Sequence, residues 1–154
     1  MAFDHPTGLA ADDEGNLYVS DTFNGAVRKV TPKGGVSTVA KGLSEPTGLC
    51  WKDGVLYVAE TGKNRIVKVE DGKVTSISGQ YAFSGPQGVT VGDDGSVYVS
   101  DTGNGAVCRI KDGSVTALVQ SDSGLTSPVG LLVQGGKLYI CDTFARKVFV
   151  YQIG

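Results

Sequence analysis

The chain has 154 residues, 40% hydrophobic and 19% charged, with 14 Lys and Arg against 16 Asp and Glu for a net charge of −2. That length suffices for one domain with a buried core, and the charge balance offers no basic footprint for nucleic-acid phosphates, so RNA is not an expected partner. No apolar run approaches the roughly 20 residues of a membrane-crossing helix, so no membrane association is expected.

In chain order, Gly8 to Ala11 reads as a short apolar strand, closed by the turn Asp12-Asp13-Glu14-Gly15. A second strand follows from Asn16 to Ser20, a turn at Asp21 to Gly25, a third strand from Ala26 to Val30, and a fourth from Val36 to Ala40 after Pro32-Lys33-Gly34-Gly35. The glycines and Asp-Gly pairs supply the positive φ angles that tight hairpins need. The second stretch repeats this order with turns at Lys52-Asp53-Gly54, Gly62-Lys63-Asn64 and Glu70-Asp71-Gly72. The third does so with Gly92 to Gly95, Gly103-Asn104-Gly105 and Lys111-Asp112-Gly113. The fourth has strands at Gly130 to Val133, Lys137 to Cys141 and Lys147 to Ile153, and no fourth strand.

The units are anchored at Pro6, Pro46, Pro86 and Pro128 and span about residues 6–45, 46–85, 86–127 and 128–154 of a single domain, 1–154. Each opens Pro-x-Gly, carries a tyrosine (Tyr18, Tyr57, Tyr98, Tyr139) and then an acid followed by threonine: Asp21-Thr22, Glu60-Thr61, Asp101-Thr102, Asp142-Thr143. A four-stranded meander cannot hide both faces alone, so the units must stack. Strand twist turns such a stack into a circle, and the expected fold class is all-β, a β-propeller of four-stranded antiparallel blades. About four blades are present, the last lacking its outer strand. The blades are expected to form an open arc or part of a larger ring, with self-association through the exposed terminal blades.

Pro-Thr-Gly-Leu-Ala, then Gly-Asn-Leu-Tyr-Val-Ser-Asp-Thr, then Asn-Gly-Ala-Val-Arg-Lys-Val in the first unit resembles an NHL repeat, and the likeness extends from Pro6 to about Gly154. The second unit fits best, with Glu60, Asn64, Arg65 and Ile66; the arginine slot elsewhere holds Ala26, Ala106 and Lys147. The resemblance implies either a scaffold binding protein or RNA on one rim, or an enzyme akin to propeller lyases and lactonases that hold a metal near the central channel.

The one histidine, His5, cannot form a histidine cluster, and no nucleophile motif or phosphate loop is present. The expectation is therefore a non-catalytic scaffold with a protein partner, without metal or cofactor. The alternative is a truncated part of a propeller hydrolase or lyase whose active residues lie outside the chain. Candidate rim contacts are Phe23, Phe144, Lys63, Arg65, Arg146 and Lys147; for the two phenylalanines, the preferred partner contacts of this set, packing on a neighbouring blade is the stronger alternative. Candidate rim carboxylates are Asp21, Glu60, Asp101 and Asp142, which at strand ends are also suited to accept N–H bonds from the following turn. The acids of the Asp12 to Glu14 and Asp93-Asp94 turns suit local turn bonding better than calcium. Cys50, Cys108 and Cys141 lack metal-ligand spacing and read as free thiols in small-residue slots. The first residues, MAFDHPTG, lack the charged and apolar regions of a signal peptide, which is compatible with the cytoplasm.

Overall fold

A computed structural model describes residues 2–153. Four antiparallel meanders follow one another, each sheet ordered as in the sequence. The first holds β1 (Pro6–Ala11), β2 (Leu17–Asp21), β3 (Ala26–Val30) and β4 (Val36–Lys41); the second β5 (Pro46–Lys52), β6 (Val55–Glu60), β7 (Arg65–Glu70) and β8 (Lys73–Ser76). The third holds β9 (Gly88–Val91), β10 (Val97–Asp101), β11 (Ala106–Lys111) and β12 (Ser114–Val119); the fourth β13 (Pro128–Gln134), β14 (Lys137–Asp142) and β15 (Lys147–Gln152). This is the all-β propeller expected, with a three-stranded last blade. The only helical pieces among the described residues are single 3₁₀ turns at Thr61–Lys63, Thr102–Asn104 and Ser121–Ser123.

The Asp-Gly hairpins form as their chemistry dictates: Asp53-Gly54, Asp71-Gly72 and Asp112-Gly113 all hold positive φ at both residues, the type I′ geometry that matches strand twist. Asp12 bonds Asn16 and the Glu14 N–H, and Asp94 bonds Ser96. Asp12 and Asp94 thus serve their own turns, while Asp94 also takes Lys111 at 2.6 Å and Asp93 reaches Lys52 of the second blade at 2.9 Å.

The interior is three slabs, one between each pair of blades. Tyr18 and Val27 of the first blade pack on Leu49, Val58 and Val67 of the second; Ala59 and Ile66 of the second pack on Val89 and Val99 of the third. Tyr98 and Val107 of the third then pack on Leu138 and Ile140 of the fourth. Each middle blade is therefore apolar on both faces, and each end blade leaves one face uncovered. Leu9 is 67% exposed although its counterparts Leu49 and Val89 are buried, and Val148 is 61% exposed although Val27, Ile66 and Val107 are fully buried. The arc is open.

Candidate functional site

The repeated acids end the second strand of every blade, and all four are buried. They are not the open rim carboxylates that their spacing suggests, because their oxygens are occupied. Each accepts the backbone N–H of the residue two places before its blade's anchoring proline: Asp4 to Asp21 at 2.7 Å, Ser44 to Glu60 at 2.9 Å, Ser84 to Asp101 at 2.7 Å, Thr126 to Asp142 at 2.6 Å. Bonding to the following turn also occurs, from Asn24, Asn104 and Ala145. The invariant partner, however, is the loop leading into the same blade. The acid thus pins the entry of the inner strand to the end of the second.

Burial pushes the Asp21 carboxyl up, but the Asp4 N–H, Arg28 at 2.8 Å and Asn24 outweigh it and hold it below the usual range. Glu60 behaves alike: burial opposes ionisation, while Arg65, the Ser44 N–H and Lys63 favour it more strongly. Lys63 lies 3.0 Å and Arg65 2.6 Å from Glu60, so these two candidate rim contacts neutralise a buried carboxylate. Arg146 and Lys147 are exposed, Arg146 in the left-handed position taken by Gly25, Asn64 and Gly105 in the other blades. Phe23 is 60% and Phe144 82% exposed, so neither is packed away in the interior; the Phe23 ring lies 4.2 Å from that of His5. These residues occupy equivalent turns on three separate blades and do not converge into one pocket.

The threonine after each acid ties one blade to the next. Thr22 donates to the Pro46 carbonyl at 2.8 Å, Thr61 to that of Pro86 at 2.7 Å and Thr102 to that of Pro128 at 2.7 Å. Thr61→Val should therefore destabilise the fold by about 1 kcal/mol. A chemical denaturation curve identical to that of the parent would contradict that role.

The inner strands β1, β5, β9 and β13 line the inner side of the arc around an open hollow of about 280 Å³, walled in each blade by the two residues after the anchoring proline and the apolar residue that follows them. Its side-chain polar groups are the hydroxyls of Thr7 and Thr47 and the amide of Gln87. The hydroxyl of Thr7 is engaged by that of Thr22, and that of Thr47 by Thr61 and the Gln87 carbonyl. Close approach of the inner strands explains the glycines. A Cβ on Gly8, Gly48 or Gly88 would overlap the carbonyl oxygen of Thr47, Gln87 or Val129 on the next blade. Sequence reasoning registered the Pro-x-Gly period but not this reason for it.

The lining of the cavity presents no carboxylate, imidazole or thiol, and each of the repeated acids lies outside that lining, hydrogen-bonded to the loop that enters its own blade. Among the described residues no three His, Cys, Asp or Glu side chains gather in a way that could hold a metal ion. The residues do not fit the channel metal that the lactonase and lyase likeness implies. What the cavity offers is a neutral, partly polar surface suited to hydrogen-bonding an uncharged ligand.

A family model described as SMP-30/Gluconolactonase/LRE-like region matches residues 5–154. No curated protein sequence matches the chain. Among solved structures, a catalytically inactive virginiamycin B lyase from Staphylococcus aureus, determined with quinupristin, superimposes with a TM-score of 0.82 at 17% identity, covering 94% of this chain and 50% of that one. A gluconolactonase from Xanthomonas campestris gives 0.83 at 20% identity, covering 96% and 58%. At such identities the likeness shows the fold. The chain spans between half and three-fifths of the length of these relatives.

Proposed function

Because the chain belongs to the SMP-30/gluconolactonase/LRE-like family, we propose that its four blades form the ligand-holding wall of a propeller hydrolase acting on lactones, with catalytic groups contributed from outside these blades. The observation that carries this reading is the family match over residues 5–154. The matched family is named for lactonases and not for NHL scaffolds, so the hydrolase reading takes precedence over a protein-binding platform. The cavity agrees in character: Gln87 and the inner-strand backbone can orient a polyhydroxylated lactone, and the apolar residues Leu49 and Val89 exclude water from its ring face.

Titration of the isotopically labelled chain with gluconolactone or gluconate should shift the amide resonances of Thr47, Gln87 and Gly88, and Gln87→Ala should weaken the response several-fold. Hydrolysis by the chain alone should not exceed the spontaneous rate in buffer. Shifts confined to the outer turns would remove the channel from consideration. Efficient turnover by these residues alone would show that the catalytic groups had been placed wrongly.

A further inference from the structure

The two uncovered blade faces carry complementary halves of one junction that the chain builds three times internally. In each internal junction the donor blade supplies three things: a glycine that lets the next inner strand approach, a threonine hydroxyl for the next proline carbonyl, and a buried aliphatic residue on its third strand. These are Gly8, Thr22 and Val27 in the first, Gly48, Thr61 and Ile66 in the second, and Gly88, Thr102 and Val107 in the third. The receiving blade supplies the carbonyl after its proline, the proline carbonyl itself and an apolar pair, Leu49 with Val58 or Val89 with Val99.

The fourth blade has the donor set with nothing opposite. Space above Gly130 is open except for its own blade's Cys141, whose nearest atom would lie 3.6 Å from an added Cβ. The Thr143 hydroxyl turns back to the Ser127 carbonyl at 3.4 Å, a long bond compared with 2.7–2.8 Å at the internal latches. Val148 and Leu132 stand exposed. The first blade has the receiving set with no blade opposite it; Phe3, from the segment before β1, lines the same hollow as Pro6, Leu9 and Val19. Pro6 is exposed, whereas Pro46, Pro86 and Pro128 are buried. Leu9 and Val19 help to line an apolar cavity of about 350 Å³ on the outer side of that blade.

We propose that the fourth blade docks the first blade of a second copy of this chain, continuing the blade series head to tail. The Thr7 carbonyl of the incoming copy comes to lie over Gly130, its Pro6 carbonyl accepts the Thr143 hydroxyl, and its Leu9 covers Val148 and Leu132. Every component of this contact has three precedents in the same chain. The interface joins two different patches, so two copies close a ring if the rotation allows and extend as a series if it does not. The inference follows from the junctions of the 154-residue chain by itself and is independent of the proposed function, whose outside catalytic groups a second copy would not supply.

Light scattering over a wide concentration range should give species heavier than the 15.9 kDa monomer, beginning with the dimer. Leu9→Asp blocks only the receiving face and Val148→Asp only the donor face; both sites are solvent-exposed, so each variant should keep the parental circular dichroism. Each alone should be monomeric, with association weakened at least about tenfold. Mixed, they should form a one-to-one heterodimer through the one intact pair of faces. Gly130→Ala should likewise fold and fail to associate as a donor. A parent that stays monomeric throughout would overturn the proposal and assign these faces to blades of different sequence. So would single variants that still dimerise, since that means like faces pair, or a mixture that remains monomeric.

Discussion

Gly88→Ala is expected to destabilise the protein by about 3 kcal/mol or more, the upper end of what overpacking costs. The added methyl meets the Val129 carbonyl and the Ser100 hydroxyl. Ser100 already donates to the Val129 carbonyl at 2.7 Å and accepts from the Gly88 N–H at 2.6 Å. Backbone on one side and a committed side chain on the other leave nothing free to give way. The third and fourth blades must then separate or the inner strand must bend. Gly130→Ala makes the matched control. The residue has the same place in its blade, but the nearest atom to an added Cβ is 3.6 Å away, an ordinary contact, so monomer stability should stay within about 0.5 kcal/mol. Thermal unfolding of the two variants side by side checks both statements, and equal losses would show that blade contact is not what the glycine serves.

Asp142→Ala should cost about 3 kcal/mol at neutral pH, because it strands donors that face a buried carboxylate. Burial pushes the carboxyl up. The N–H groups of Thr126 and Ala145, the Thr126 hydroxyl and the Ser127 N–H outweigh that and hold it at about 2, against an ordinary 3.8. A carboxyl whose folded pKa is depressed stabilises the protein fully above its unfolded value, and the contribution disappears as pH falls through the folded value. The parent should therefore lose stability as pH drops from above 3.8 through about 2. Asp21 and Glu60, shifted in the same direction, add to that loss. The gap between parent and Asp142→Ala should be widest near neutrality and narrow across that window. Denaturation curves at a series of pH values measure it; a gap independent of pH would mean that the charged form plays no special part.

Blade number, strand order and most strand limits were legible in the sequence because turn chemistry repeats with the period. The Asp-Gly pairs fix hairpins wherever they fall, and tyrosine between aliphatic residues marks each second strand. Strand ends were less legible: β1 begins at Pro6 and not Gly8, and β2 runs on to Asp21, since hydrogen-bond pairing to a neighbour sets them and not local composition. The acids were placed correctly at strand ends, yet their principal partners lie 15 to 17 residues earlier, a separation that no local pattern announces. The threonine latches reach 24 to 26 residues ahead, into another blade, and were equally hidden. The channel's neutrality was invisible for the same reason. Its lining comes from four positions some forty residues apart, and only the fold places them side by side.

The slab-like interior has a consequence for how the molecule comes apart. Every apolar cluster is shared by two consecutive blades, so no central keystone exists whose loss collapses the rest. Cohesion is passed from neighbour to neighbour, as in a linear array, and the least protected amides belong at the two ends of the series. An error copied into one unit weakens two seams at most, and whole units of about forty residues can be gained or lost while the remaining seams keep their form. A chain held together in this way can change its length without redesigning its core.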